Sequence, residues 1–103
     1  MNAHPRHRLD EAFQTPVRLS LMAILPAGSL IDFITLRDTL EASDSVLSKA
    51  VAQLQERGYV KVTKGYEGTR PRTWVESTAS GRRAYRSHLA ALRAIVADYP
   101  PEG

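Results

Sequence analysis

The segment TPVRLSLMAIL, residues 15–25, has the apolar spacing of an α-helix. Val17, Leu21 and Leu25 recur every four residues along one face. Thr15 is a suitable N-cap and Pro16 a suitable first helical residue, because the N–H that proline lacks would have no intrahelical partner there. Further apolar residues lie off this face, which predicts a helix buried on two sides.

The chain before this helix has a weaker pattern. Residues 1–8 show no apolar periodicity and predict a flexible tail. Leu9 and Phe13 are four residues apart, which indicates a short helical turn. No internal repeat or composition shift divides the rest, so the sequence predicts one domain over 9–99.

The segment LIDFITLRDTLEAS predicts a few extended residues followed by a second helix. Asp32 is the candidate N-cap, and Phe33, Leu36 and Leu40 are spaced three and four apart on one face. The residues EAS then form a short turn, which predicts a third helix packed at an angle to the second.

The third helix, predicted at 44–57 from SDSVLSKAVAQLQERG, has the clearest pattern in the chain. It opens at Ser43 or Asp44 and closes at Gly58. With the regularly spaced leucines and valine facing inward, an outer face of small and polar residues remains. This outer face comprises Ser45, Ser48, Lys49, Ala52 and Glu56, with Gln53 at its margin.

The segments YVKVTKGY and RTWVEST are rich in β-branched and aromatic residues and flank EGTRP, which predicts a β-hairpin with a loose tip. Trp74 is expected to pack this hairpin onto the domain. Thr78 can cap a last helix, predicted at 79–99, which Pro100 and Pro101 would end.

The last helix carries apolar residues at spacings of four and three, which is typical of a coiled-coil seam. The seam consists of Tyr85, Leu89, Leu92, Val96 and Tyr99. One chain of this length is not expected to cover this seam together with Leu9 and Phe13, so these seven residues predict a dimer interface. His88 lies beside the seam and is expected at the interface or the surface.

The order helix, short strand, helix, helix, hairpin, helix predicts a mainly α fold with a small β-hairpin (α+β). It is the order of a winged helix-turn-helix, here with N- and C-terminal dimerisation helices. The hairpin is the wing, and the third helix would be the recognition helix that enters a DNA groove.

The charge distribution supports this interpretation. The net charge is +3, but residues 1–56 hold five Lys/Arg against seven Asp/Glu, whereas residues 57–103 hold nine against four. The basic half contains the predicted wing, where a polyanion would bind.

The sequence resembles compact winged helix-turn-helix transcriptional regulators and is similar to MarR-type regulators and ArsR-type repressors. The resemblance covers roughly residues 9–92. It is carried by PVRLSLMAIL, DFITLRDTL, SDSVLSKAVAQLQERGYV and KGYEGTRPRTWVESTASGRRAY. It implies a homodimer that binds operator DNA through the third helix and the wing. Val46 and Ala50 depart from it, since larger polar side chains are expected at those recognition-helix positions.

We predict that recognition helix 44–57 and basic wing 64–74 bind double-stranded DNA. Pro71 holds the backbone extended between two arginines, an arrangement that resembles elements entering narrow minor grooves. The candidate DNA-binding residues are Ser45, Ser48, Lys49 and Gln53 in the helix, Lys64, Arg70 and Arg72 in the wing, and Thr35 and Arg37 near the start of the second helix.

The leading hypothesis is a homodimeric repressor that binds an inverted-repeat operator. One alternative is a winged-helix protein-interaction module, although such a module has no need of the basic wing. Another is a ligand-gated sensor with a small-molecule effector in the dimer crevice.

Other function classes find little support in the sequence. We find no nucleophile with a base, no paired catalytic carboxylates and no Gly-rich phosphate loop, so we expect neither an enzyme nor a cofactor. Cysteine is absent, and His4 and His7 lie in the tail without nearby acids, so no metal site is predicted. The longest apolar run is too short for a membrane span and the amino terminus is polar, which predicts a cytoplasmic protein.

Overall fold

The computed structural model describes residues 3–97 and Tyr99. Residues 1, 2, 98 and 100–103, including the two prolines predicted to end the last helix, lie outside this description. Among the described residues, no helix is long and apolar enough to cross a membrane.

The order of elements confirms the predicted mainly α fold with a small sheet. Within the residues that the structure describes, two short 3-10 helices, Pro5–Arg8 and Glu11–Phe13, come first, and four α-helices and three strands follow. The helices are α1 (Pro16–Ile24), α2 (Phe33–Leu40), α3 (Asp44–Glu56) and α4 (Ala79–Ala97). The strands are β1 (Ile31–Asp32), β2 (Val60–Glu67) and β3 (Arg70–Ser77).

Side-chain caps fix where three of the helices begin. Oxygen atoms of Thr15, Asp32 and Ser43 each accept a hydrogen bond of 2.9 to 3.3 Å from a backbone N–H in the first turn. These N–H groups have no partner within the helix, so the caps stabilise the start of α1, α2 and α3. The predicted caps of α1 and α2 are confirmed, and Ser43 rather than Asp44 caps α3.

The three strands form one antiparallel sheet in the order β1-β3-β2. Glu67 lies opposite Arg70, so only Gly68 and Thr69 connect the strands of the wing. Gly68 adopts a φ of 64°, a backbone conformation that residues with a side chain rarely adopt. The wing is thus a regular hairpin to its tip, and the prediction of a loose tip was wrong.

The hydrophobic core lies between α1, α2, α3 and the inner face of the sheet. Its fully buried side chains are Phe13, Leu21, Met22, Leu25, Leu36, Leu47, Leu54 and Val75. Ala50 belongs to this core, so the larger polar side chain that the family pattern led us to expect would not fit there. Trp74 lies outside the core and covers Gly65 on the outer face of the sheet, so Val75, rather than the predicted Trp74, joins the wing to the domain.

An aromatic cluster forms where the second 3-10 helix and α4 meet the residue before β2. We call it the aromatic junction, and it consists of Phe13, Tyr59, Tyr85 and His88. The Phe13 ring stacks on Tyr59 at a centroid distance of 5.5 Å. It meets the rings of Tyr85 and His88 edge to face, at 6.0 and 5.4 Å. Such offset and edge-to-face pairs are the favoured aromatic geometries.

Two polar groups of the aromatic junction, the Tyr59 hydroxyl and Nδ1 of His88, are paired within the chain through Asp10. The Tyr59 hydroxyl donates to the Asp10 carboxylate at 2.6 Å, and the Asp10 N–H donates to Nδ1 of His88 at 2.9 Å. That hydrogen bond to Asp10, together with burial, raises the pKa of Tyr59. Burial lowers the pKa of His88, and the Asp10 charge opposes this effect.

The aromatic junction corrects two expectations. Phe13 and His88 are only 2% and 3% exposed in a single chain. Phe13 is therefore not left uncovered for a partner, and His88 is a core residue. The preceding 3-10 helix, within the predicted tail, packs along α4, while Leu9 is half-buried.

Helix α4 starts at a close backbone contact. The Thr78 hydroxyl accepts a hydrogen bond from the Gly81 N–H at 2.9 Å and donates to the Gly58 carbonyl at 2.7 Å. A Cβ at Gly81 would overlap the carbonyl of Tyr59, so only glycine fits there. This contact orients α4 against the end of α3.

Candidate nucleic-acid interface

The outer face of α3 is exposed and free of covering segments among the described residues. Ser45, Ser48 and Lys49 point away from the core helix face and are exposed, as predicted from their spacing. We call this surface, with Val46 and Gln53 at its margin, the recognition face. The first turn of α3 follows the loop from α2. In that loop Glu41 adopts a φ of 52°, so α2 ends in a left-handed conformation.

Gln53 is held in one orientation by Arg18. The Nη1 group of Arg18 donates to the Gln53 side-chain oxygen at 2.9 Å, and its Nε donates to the carbonyl of Ala12 at 2.7 Å. A guanidinium only donates hydrogen bonds, so the amide oxygen faces Arg18 and the amide NH₂ faces away. Gln53 can therefore offer its NH₂ donors to a ligand on this face.

Val46 is an apolar residue on the recognition face. Its side chain is 47% exposed, although it lies in the first turn of α3. Together with Val17, Ala50 and Lys49 it lines a shallow cleft of about 250 Å³ between α1 and α3. Val46, where the sequence departs from the family pattern, is thus an apolar group among polar ones.

On its other side the recognition face continues into the wing. A cleft of about 300 Å³ separates α3 from the sheet. Ser48 and Gln55 line it from the helix, and Lys64 and Thr73 line it from the strands. The structure therefore brings the predicted residues Ser48 and Lys64 together on one surface.

Tyr66 extends this surface toward the wing tip and was missed in the sequence. Alternate residues of a strand face the same side, so Tyr66 shares the sheet face of Lys64. Its side chain is 73% exposed and lies opposite Pro71. The alternation within KGY was the signal that could have found it.

Arg72 lies on the opposite face of the sheet from Lys64, because Thr73 is the residue paired with Lys64. Its Nη2 atom is 3.6 Å from Asp32 and 3.2 Å from Glu67, and its Nε is buried without a hydrogen-bond partner. The prediction treated Arg70 and Arg72 as equivalent, but they differ: Arg70 is exposed at the tip, whereas Arg72 ties the wing to the start of α2.

The two predicted contacts of α2 also have partners within the chain. The Thr35 hydroxyl donates to Asp32 at 2.7 Å, and this bond is the main cause that lowers the pKa of Asp32. Arg37 pairs with Asp44 at 3.0 Å and Asp38 at 3.3 Å, which raises its pKa further. Phosphate would have to compete with these carboxylates for Arg37.

The histidines of the predicted tail are separate from this surface. His4 caps the first 3-10 helix, since its Nδ1 accepts the N–H of Arg6 at 3.1 Å. Within residues 3–97, the structure brings no three His, Asp or Glu side chains together in a group that could hold a metal ion.

The fold and this surface define a winged-helix protein of the DNA-binding class. Residues 17–96 match the family model of the winged helix DNA-binding domain. Because the match covers most of the chain, the protein belongs to that family.

Solved structures agree with this assignment. A transcriptional regulator homologue from Pyrococcus horikoshii OT3 is 27% identical, with a TM-score of 0.80 over 89% of this chain and 91% of that chain. The regulator MosR of M. tuberculosis, solved in complex with DNA, is 21% identical, with a TM-score of 0.67 over 91% of this chain and 67% of that one. A MarR-family regulator from Silicibacter pomeroyi is 22% identical, with a TM-score of 0.60 over 95% and 68% of the two chains. The last two show the shared fold, and at the level of the fold the predicted resemblance to MarR-type regulators is confirmed.

Proposed function

We propose that this protein is a homodimeric transcriptional repressor that binds an inverted-repeat operator through α3 and the wing. The observation that carries the proposal is the continuous surface formed by the exposed face of α3 and the Lys64 side of the wing. A recognition helix fills the major groove in this class of fold, and a wing beside it reaches the phosphate backbone.

The residues have different roles in this proposal. Lys49 and the amide donors of Gln53 contact acceptor atoms of base edges or phosphates, and the serines Ser45 and Ser48 adapt to either. Lys64 and Arg70 neutralise phosphates, which supplies affinity without sequence preference. The weaker candidates are Arg72, Thr35 and Arg37, because each has a partner within the chain.

The exposed part of α4 supports the proposed dimer. Leu92 and Val96 are exposed and lie four residues apart on one side of α4, and Tyr99, outside the helix bounds Ala79–Ala97, is also exposed. Tyr85 and Leu89 are half-buried and continue this seam toward the aromatic junction. Burying large apolar side chains contributes about 1.5 to 3 kcal/mol each, enough for several to sustain association.

A two-fold dimer would present both recognition faces to one side of the duplex. The half-sites of the operator would then lie about one helical turn apart in inverted orientation. Occupation of such a site near a promoter would block transcription.

A test starts from a pool of random DNA duplexes from which the purified protein selects its preferred site. We expect an inverted repeat, bound by a dimer in sedimentation, and silencing of a reporter promoter that carries it. A selected direct repeat or single half-site would contradict the proposed dimer, and the absence of any enriched sequence would contradict sequence-specific binding.

A pair of charge substitutions tests the seam. Leu92→Glu with Val96→Glu should give a folded monomer that loses most affinity for the selected duplex, because both positions are exposed in one chain. The matched control, Ala90→Glu with Ala97→Glu, adds the same charge on the opposite side of α4 and should stay dimeric. If the seam variant sediments as the wild type does, α4 is not the dimer interface.

A further inference from the structure

Val46 is an apolar group placed where a winged-helix protein meets base edges. It is the third residue of α3, and its side chain is 47% exposed. The first turns of a recognition helix lie deepest in the major groove. Its nearest exposed neighbours along the helix, Ser45 and Lys49, are polar, so the valine interrupts a hydrogen-bonding surface.

The surroundings of Val46 extend this apolar spot. Val17 and Ala50 line the same cleft between α1 and α3, and Lys49 and Gln53 stand at its edge. The cleft, about 250 Å³, adjoins the recognition face, because Val46, Lys49 and Gln53 belong to both. It can receive a group of methyl size while Lys49 remains beside it to contact an acceptor atom or phosphate.

The major groove carries one kind of apolar group in unmodified DNA, the C5-methyl of thymine. A hydroxyl such as that of Ser45 can donate or accept and therefore discriminates little between bases. A valine side chain gains by burying a methyl group and gains nothing from a base edge that lacks one.

We infer that Val46 reads a thymine in each half-site through the thymine methyl group. This inference rests on the proposed function, since it assigns the base that the recognition face selects at one position. Val46 is then a specificity-determining residue, and Lys49 and Gln53 supply the polar contacts around it.

Deoxyuridine provides the test, because it pairs as thymidine does and lacks only the methyl group. The probe is the duplex that the wild-type protein selects from the random pool. Duplexes in which each thymidine is replaced in turn by deoxyuridine are then titrated by fluorescence anisotropy. For the wild type we expect one thymine per half-site whose replacement weakens binding about fourfold, the loss expected for one buried methyl group.

Two variants identify the side chain responsible. In Val46→Ala, which should fold normally because the position is exposed and alanine favours helices, the deoxyuridine effect at that thymine should disappear. In the matched control Leu30→Ala, which truncates an apolar side chain of 49% exposure outside α3, the fourfold effect should remain.

The outcomes separate this inference from the proposed function. If the pool yields an enriched site but no thymine shows a methyl effect, the inference is wrong and sequence-specific binding stands. If the methyl effect is as large in Val46→Ala as in the wild type, another residue reads the thymine. If no sequence is enriched, the proposed function itself fails.

Discussion

The aromatic junction and the recognition face use polar groups in opposite ways. At the junction, the Tyr59 hydroxyl donates to the Asp10 carboxylate, the Asp10 backbone N–H donates to the His88 ring, and the ring of Phe13 is fully covered. On the recognition face, Lys49 is exposed and the Gln53 amide has one side directed away from its partner. Stability and the proposed DNA binding therefore depend on different parts of a small chain.

The wing combines both kinds of residue on its two faces. Lys64 and Tyr66 face the α3 side and are exposed, whereas Arg72 on the other face pairs with Asp32 and Glu67. Since Asp32 also caps α2, the Arg72 side holds the wing in place while the Lys64 side remains available for a ligand. A cation in the wing is therefore not by itself evidence of a DNA contact.

The largest expected effect is loss of stability at the junction. Phe13→Ala removes a ring that touches Tyr59, Tyr85 and His88, and we expect it to lower the free energy of unfolding by about 3 to 5 kcal/mol. Tyr66→Ala, an equally drastic truncation of a side chain that is 73% exposed, should change it by less than about 0.5 kcal/mol. Urea denaturation followed by circular dichroism measures both.

In a DNA-binding assay, the order of the effects of these two variants should reverse. With the protein kept well below its unfolding transition, Tyr66→Ala should weaken DNA binding, and Phe13→Ala should do so only in proportion to the unfolded fraction. Equal losses of stability in the two variants would mean that the separation between the regions does not exist.

Local patterns made most of the fold predictable. Thr15, Asp32 and Ser43 are caps whose hydrogen bonds involve only the next turn, so a single sequence contains the whole signal. The strands of the wing are adjacent in sequence and equally local. Periodicity also placed Ser45, Ser48 and Lys49 on an exposed helix face.

Contacts between distant residues could not be predicted in this way. Arg72 pairs with Asp32, forty positions earlier, and Asp10 meets His88 across nearly the whole chain. Neither pairing produces a periodic pattern in the sequence, which therefore predicts His88 at the interface or the surface and Arg72 as a DNA contact. Ala50 shows a related limit, because a small residue fits both a close helix contact and an exposed position.

A smaller loss of stability is expected at the aromatic junction when the pH is lowered. Burial holds the pKa of His88 below 6.5, so the unfolded chain takes up a proton more readily than the native one. The stabilisation is thus complete above about pH 6.5 and decreases as the pH falls below that value. Protonation also removes the Nδ1 acceptor for the Asp10 N–H, a hydrogen bond that contributes about 0.5 to 1.5 kcal/mol.

His88→Asn is the matched variant, because its side-chain oxygen can accept the same N–H and does not titrate. We expect the melting temperature of the wild type to fall more between pH 7 and pH 5 than that of the variant. Asp10 is the charged group that acts on His88, and its carboxylate lies 3.6 Å from Nη1 of Arg57. Parallel melting curves would show that His88 does not titrate in the transition.

The smallest expected effect distinguishes the two wing arginines. Each phosphate contact contributes about 0.9 to the slope of log affinity against log salt concentration. Arg70→Ala should flatten this slope by about one such contact, since Arg70 is exposed at the tip. Arg72→Ala should change the slope clearly less, because its charge is shared with Asp32 and Glu67.

Lys64→Ala, on the α3 side of the wing, serves as a second exposed cation and should match Arg70→Ala. Titrations of the selected duplex at several salt concentrations measure the slopes. Identical slopes for Arg70→Ala and Arg72→Ala would mean that both arginines reach phosphates and that the pairing with Asp32 yields to DNA.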